Sequence, residues 1–171
     1  EDGRLAIEAI SGASAGAMNA VVLAEGWRRG GADGARERLA DFWRSISLDG
    51  ELPPYKARIV RQALGFWTDE RSPFRIWLDV FSGFTSPYQN VLDLNPLRDA
   101  LEELIDFREV RACAEAKLFV SATNVWTGKV KVFEGGELTV DHLLASACLP
   151  EIFKAVEIDG VPYWDGGYMG N

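Results

Sequence analysis

The sequence contains little histidine, little cysteine and little positive charge. Its 171 residues include one histidine, His142, and two cysteines, Cys113 and Cys148. Transition-metal sites combine several histidine and cysteine ligands, so we expect neither a metal site nor another cofactor. The two cysteines lie far apart, form no C-x-x-C pair and have apolar neighbours. This pattern predicts buried, reduced thiols in a cytoplasmic protein.

Basic residues are too few to form a basic surface. The chain has 18 Lys and Arg against 26 Asp and Glu, and its formal net charge is −8. This balance argues against a nucleic-acid partner and against adhesion to an anionic membrane by charge alone. Long apolar runs are also missing, since none approaches the roughly 20 residues of a membrane-spanning helix, and the N-terminus has no signal-peptide pattern.

The composition and periodicity predict one globular α/β domain. Hydrophobic residues make up 47% of the chain and aromatic residues 11%, which is ample for a packed core. Helices are expected at 17–24, from Asp33 to about Ile46 after a Gly30-Gly31 break, at 97–104 after Asn95-Pro96, and at 139–148. Strands are expected at 5–11, at 117–125 buried on both faces, at 129–133, and in a hairpin at 156–164 with an Asp159-Gly160 turn.

The stretch from Leu52 to Asn90 is rich in phenylalanine and tryptophan. Helical pieces are predicted at 55–65 and 73–82, but Gly83 and Pro87 interrupt any longer periodicity. Such a segment could form a lid or an apolar wall over a site, or it could pack as an inserted helical cap. These two interpretations are compatible with each other.

The motif G-A-S-A-G at 12–16 follows a short apolar run and opens into a predicted helix. In this context a G-x-S-x-G motif forms a nucleophile elbow, which presents Ser14 Oγ at the top of a sheet. Gly12 and Gly16 would leave room where a Cβ would collide with neighbouring backbone. The helix N-terminus favours an anion, and the N–H of Ala15 is the expected first oxyanion donor. The alternative is an ordinary glycine-rich turn.

A second chemical element, Asp165-Gly166-Gly167, follows the predicted hairpin. A carboxylate at a strand end followed by two glycines lies where the backbone can pass close to a neighbour, so Asp165 can point across a cleft. Alternatively, Asp165 forms an Asx turn within its own loop.

A serine nucleophile needs a base, and the sequence offers two. His142 would complete a triad, but α/β-hydrolases follow the order Ser, acid, His, whereas this histidine precedes Asp165. A surface or half-buried helix residue is the better interpretation of His142. Asp165 could instead accept the Ser14 proton directly. Because a hydrated carboxylate is a weak base, such a dyad requires a dry, apolar site.

Three motifs in order resemble those of the patatin-like phospholipases: G-A-S-A-G-A-M-N-A at 12–20, A-S-A-C-L-P-E-I-F at 145–153 and D-G-G at 165–167. The resemblance implies a three-layer α/β/α fold with a central, mostly parallel sheet and a helical insertion around 50–92. It also implies hydrolysis of acyl esters of phospholipids, lysophospholipids or neutral lipids. The implied machinery is a Ser-Asp dyad without a metal, with Ser14 as nucleophile, Asp165 as base, and Gly166 and Gly167 in the catalytic loop.

The family carries a glycine-rich oxyanion loop upstream of the elbow, and the eleven residues before Gly12 contain none. We therefore expect a single domain that lacks the glycine-rich oxyanion loop and the strand that carries it. We also expect it to lack the segment that follows Asn171. Loss of one oxyanion donor lowers turnover by about 10²–10³. A lipid or acyl-ester substrate, contact with a membrane surface and a homo-oligomer all fit the resemblance. An esterase or thioesterase for small substrates and a non-catalytic lipid-binding module remain as alternatives.

Overall fold

The computed structural model describes residues 7–46, 96–150 and 153–168. Its strands are β1 Ala9–Gly12, β2 Lys117–Asn124, β3 Val130–Glu134, β4 Val156–Ile158 and β5 Val161–Asp165. Its α-helices are α1 Ala15–Ile46, α2 Pro96–Leu104, α3 Phe107–Arg111 and α4 Val140–Ser146. Single 3-10 turns follow β3 and β5 at Gly135–Glu137 and Gly166–Tyr168. The helical pieces expected at 55–65 and 73–82 lie outside the described residues.

Strand β2 is the centre of the sheet. Val120 pairs in parallel with Gly12 of β1 and antiparallel with β3. A strand has two hydrogen-bonding edges, so β1 and β3 lie on opposite edges of β2. Ala122 pairs with β3 and also with Asp165 of β5. Strand β5 therefore shares the edge of β2 that β1 occupies.

Strands β1 and β5 approach each other end to end along this shared edge. Strand β1 runs parallel to β2 and ends at Gly12 beside Val120, whereas β5 runs antiparallel and ends at Asp165 beside Ala122. Val120 and Ala122, the two positions on β2 beside which these strands end, are two residues apart, which corresponds to about 7 Å. The sheet thus brings the segment after β1 and the end of β5 to one place.

The strand directions differ from the expectation of a mostly parallel sheet. Among the described strands, one pairing is parallel and three are antiparallel. A short turn joins β2 to β3, and the predicted Asp159-Gly160 turn, with φ of 51° and 76°, joins β4 to β5. Such turns connect antiparallel neighbours, while parallel β1 and β2 are connected through helices. The mixed α/β class and the Asp-Gly hairpin are confirmed.

One face of β2 forms the core. Leu118, Val120 and Ala122 on this face are buried, whereas Phe119 and Ser121 on the other face are half-buried. The prediction that this strand is buried on both faces is therefore wrong. Helices α1 and α4 complete this core with apolar side chains that include Met18, Val21, Val22, Leu143 and Leu144. The core therefore lies between the sheet and two helices, of which α1 begins within the motif at 12–20 and α4 ends within the motif at 145–153.

Helix α1 consists of two arms. Gly30 and Gly31 have non-helical backbone angles, and Gly31 has a φ of 61°, so the predicted break is confirmed. The arms fold back closely, because a Cβ on Gly26 would lie 2.5 Å from the carbonyl oxygen of Gly34. Trp43, on the second arm, is 37% exposed.

A buried carboxylate ties the two arms together. Glu25 is 1% exposed and forms ion pairs with Arg29 at 2.7 Å and with Arg38 at 3.0 Å. Arg38 also donates to the carbonyl oxygen of Leu104 at the end of α2. Glu25 and Arg29 lie on the first arm and Arg38 lies on the second. The ion pair of Glu25 with Arg38 therefore fixes the position of one arm relative to the other.

The described residues contain no helix that is both long and apolar enough to cross a membrane. The same part of the chain contains no group of three or more His, Cys, Asp or Glu side chains that could hold a metal ion. Neither Cys113 nor Cys148 forms a disulfide in the described part of the chain. Cys148 is buried as expected, but Cys113 is only half-buried.

Candidate active site

The segment between β1 and α1 has the backbone of a strained elbow. Ser14 has a φ of 54°, which a residue with a side chain rarely adopts, and is 6% exposed. A Cβ on Gly12 would lie 2.4 Å from the backbone carbonyl of Gly16, so only glycine fits at the end of β1. The sharp turn from strand to helix thus requires Gly12 and places Ser14 directly before α1.

Gly16 differs from its expectation. Among the described residues, no atom outside its own helical turn lies within 4 Å of a Cβ built on Gly16, so of the two motif glycines only Gly12 is crowded. Ala15 is the first residue of α1, and its N–H has no acceptor one turn earlier in the helix. Within the described residues this N–H donates to no backbone oxygen. Ala15 N–H therefore has the position and the capacity that an oxyanion donor needs.

Asp165 is fixed at the end of β5 through its backbone and its carboxylate. Its N–H donates to the carbonyl oxygen of Cys148 at 2.8 Å, and its own carbonyl accepts from Thr123 Oγ1 at 2.8 Å. Its Oδ1 accepts from the N–H of Gly167 at 2.7 Å, which is the Asx turn that the sequence offered as an alternative. Because Asp165 is 0% exposed, it lies in the dry environment that a carboxylate base for a serine requires.

The glycine after Asp165 allows a close approach of two strands. A Cβ on Gly166 would lie 2.3 Å from the carbonyl oxygen of Ser121 and 2.8 Å from its hydroxyl. Gly166 is buried. The chain can therefore turn away from β5 directly beside β2, as the D-G-G sequence led us to expect.

A single segment at the end of α4 contacts both Ser14 and Asp165. The N–H of Ser14 donates to the carbonyl oxygen of Ser146 at 3.1 Å and to its Oγ at 2.9 Å. Two residues after Ser146, the carbonyl oxygen of Cys148 accepts a hydrogen bond from the backbone N–H of Asp165. Ser14 and Asp165 therefore share one support in addition to the sheet.

The side-chain oxygen of Ser14 is buried, and it has no hydrogen-bond partner among the residues that the structure describes. A buried hydroxyl without a partner is costly in a folded protein, which makes this oxygen a candidate reactive group. It lies at the N-terminus of α1, where the helix dipole stabilises developing negative charge. The position of Ser14 is thus suited to a nucleophile that forms an oxyanion.

His142 makes its contacts away from this cluster. Its Nδ1 accepts from the N–H of Thr139 at 3.0 Å, and its ring packs against Phe133 with centroids 4.3 Å apart. Burial lowers the pKa of His142, although the charges of Glu137 and Asp141 oppose this shift. These contacts stabilise the start of α4 and fit a helix residue better than a triad, but His142 is 9% exposed, so it is buried and not at the surface or half-buried as expected.

A surface cavity of about 350 Å³ lies elsewhere on the sheet, beside Cys113, Lys117 and Gly135. Lys117 pairs with Ala9 at the start of β1, whereas Ser14 follows the end of β1. The residues that line this cavity include neither Ser14 nor Ser146 nor Asp165, so it does not belong to the candidate site.

Sequence reasoning identified the elbow and the D-G-G turn but assigned no role to Ser146, Thr123 or the carbonyl of Cys148. Ser146 lay within the quoted motif at 145–153, which was the only available signal. Its contact with Ser14 joins residues 132 positions apart. Thr123 carried no such signal, because it reads as an ordinary strand residue.

The comparisons with known proteins agree with the motifs. The family model described as patatin-like phospholipase matches residues 1–171. A search of curated proteins gives no match to the chain. Together with the α/β fold, the match over the whole length places the chain in a family of lipid acyl hydrolases. The chain belongs to the patatin-like phospholipase family.

Proposed function

We propose that this protein is a serine lipid acyl hydrolase of the phospholipase A or lysophospholipase type, with Ser14 as nucleophile and Asp165 as base. One observation carries the proposal: β1 and β5 end two residues apart on the same edge of β2, and the end of α4 holds the backbone N–H groups of both residues. Family membership supports a lipid substrate.

The reaction begins when Ser14 Oγ attacks the ester carbonyl carbon and passes its proton to the Asp165 carboxylate. The N–H of Ala15 donates to the resulting oxyanion. Collapse of this intermediate breaks the ester C–O bond, and the alcohol leaves with the proton from Asp165. The product of this half-reaction is an acyl ester of Ser14.

Water completes the cycle. A water molecule attacks the acyl ester of Ser14 while Asp165 accepts its proton, and a second oxyanion forms at the same position. Collapse of this intermediate returns the proton to Ser14 Oγ and releases the fatty acid. A dry site favours both steps, because a carboxylate without full hydration is a better proton acceptor.

Labelling with an alkyl fluorophosphonate, read by intact mass, tests the proposal. The probe phosphonylates an activated serine and releases fluoride, so the wild-type chain should gain one adduct, which peptide mapping should place on Ser14. Ser14→Ala should gain none. Ser45→Ala is the matched control, since Ser45 Oγ donates to the Phe42 carbonyl in α1 and lies outside the site. It should be labelled like the wild type.

Turnover assays identify the substrate class. Hydrolysis of a long-chain lysophospholipid in micelles should exceed hydrolysis of a short soluble ester. Faster cleavage of the short ester would indicate a small-substrate esterase instead. Lipid binding by a folded chain that neither labels nor hydrolyses would contradict the proposal and indicate a non-catalytic lipid-binding module.

A further inference from the structure

Ser146 lies at the last position of α4 and is 0% exposed. Its two oxygen atoms both accept from the N–H of Ser14, at 3.1 Å for the carbonyl and 2.9 Å for Oγ. A serine hydroxyl inside a helix can bond to the carbonyl one turn earlier. Here the hydroxyl instead contacts the backbone of the candidate nucleophile.

The contact falls on the strained point of the elbow. Ser14 is one of two non-glycine residues with a positive φ in the described part of the chain. A conformation of this kind persists only when the surrounding contacts fix it. The N–H of Ser14 moves with its φ angle, so an acceptor on this N–H directly opposes relaxation of the backbone toward a negative φ.

We propose that Ser146 is a positioning residue for Ser14: its hydroxyl fixes the N–H of Ser14 and so holds the nucleophile in its reactive orientation. This role deepens the proposed function and rests on it. Ser146 touches no reacting atom, and it acts through the backbone of Ser14.

The same segment also holds the base. The carbonyl of Cys148 accepts from the N–H of Asp165 at 2.8 Å, and only one residue, Ala147, separates Cys148 from Ser146. A displacement of the end of α4 would therefore change the position of Ser14 relative to Asp165. The hydroxyl of Ser146 is the part of this support that can be removed by substitution without changing the backbone.

Ser146→Ala removes one of the two acceptors and leaves the carbonyl in place. Loss of one such hydrogen bond corresponds to a fall of about three- to tenfold in kcat, with KM nearly unchanged, because the orientation of Ser14 matters in the reaction step and not in substrate binding. The rate of fluorophosphonate labelling should fall by the same factor. Turnover is expressed per site that the probe can titrate, so that unfolded molecules are not counted.

The pH profile separates this role from a change at the base. In Ser146→Ala the height of the profile of kcat/KM should fall while its apparent pKa stays that of the wild type, since the contacts of Asp165 are intact. Ser45→Ala serves again as the control for loss of a partly buried serine hydroxyl, and it should leave kcat unchanged. A purely structural role for Ser146 would lower the melting temperature but leave kcat per titrated site at the wild-type value, which would overturn the inference.

A second measurement does not depend on activity. In protein labelled with ¹⁵N-serine, the amide of Ser14 should exchange with solvent about three- to tenfold faster in Ser146→Ala than in the wild type. Unchanged exchange would contradict the contact whether or not the chain hydrolyses esters. If the wild type fails to label, the proposed function is wrong; if the wild type labels and Ser146→Ala matches it in kcat and exchange, only the positioning role is wrong.

Discussion

Gly166 lies so close to Ser121 that a Cβ on the glycine would come within 2.3 Å of the serine carbonyl oxygen. Real Cβ atoms do not approach an oxygen this closely, so the main chain after β5 can pass β2 only without a side chain at this position. Asp165 precedes Gly166, and its carboxylate accepts a hydrogen bond from the N–H of Gly167, the residue that follows Gly166. The orientation of the candidate base therefore depends on this contact.

Gly166→Ala should displace the turn and with it Asp165. We expect turnover to fall by at least about 10², since an ångström of misplacement has this effect on positioned groups. The free energy of unfolding should fall by about 2 kcal/mol through overpacking. Gly136→Ala is the matched control, because no described atom lies within 4 Å of its Cβ. Comparable losses in both variants would contradict the steric argument.

Asp165→Asn should abolish turnover and preserve the fold. The amide oxygen can still accept from the N–H of Gly167, but the amide cannot take a proton from Ser14. We expect kcat to fall by about 10³ or more, the upper part of the range for general-base loss. Initial rates and circular dichroism check this together. Retention of more than a tenth of the wild-type kcat would assign the base to another group.

His142 makes stability depend on pH. Burial lowers the pKa of His142 in the folded protein below its unfolded value of about 6.5, so the unfolded chain binds the extra proton first as pH falls. Stability is therefore complete above the unfolded pKa and is lost as pH falls below it. Protonation would also remove the Nδ1 acceptor for Thr139 N–H.

His142→Gln isolates this effect. Glutamine at the third helical position can still accept from the N–H of the N-cap residue but does not titrate in this range. Urea unfolding at pH 7.5 and pH 5.5 should give a smaller pH difference in free energy for the variant than for the wild type. Equal differences would mean that the acid sensitivity arises at other groups.

Glu25→Gln should lower stability without affecting the chemistry. It removes the charge from a side chain that is 1% exposed and pairs with Arg29 and Arg38. The arginines are partly exposed, so we expect a loss of about 2 kcal/mol, below the cost of breaking a fully buried pair. Asp33→Asn, in the exposed pair with Arg36, should cost less than about 0.5 kcal/mol. Turnover per titrated site should match the wild type in both.

Local chemistry made part of this fold predictable. The break at Gly30-Gly31, the helix start at Pro96 and the hairpin at Asp159-Gly160 follow from backbone preferences of glycine, proline and aspartate, and the structure has all of them. The elbow was also predictable from local sequence, because its glycine and serine positions stand close together in the chain.

Contacts over long sequence distances were not predictable. The half-exposed face of β2 depends on which elements cover it, and an apolar run such as Leu118 to Val120 does not contain this information. Helix α3 was missed because a segment of five residues shows little periodicity; its N-cap, Asp106, which accepts from the N–H of Arg108 at 3.0 Å, was the available signal. The contact of Ser146 with Ser14 required coordinates.

The end-to-end meeting of β1 and β5 also orders the events of synthesis. A ribosome completes the elbow before it adds β2 to β5, and Asp165 is the last residue of the last described strand. Until β5 pairs with β2, a nascent chain carries its candidate nucleophile without the carboxylate that would activate it. Because domains form their long-range pairings late, the mechanism we propose could operate only once the sheet is complete. Under the proposed mechanism, a partly made or partly unfolded chain would therefore not act on the acyl esters around it.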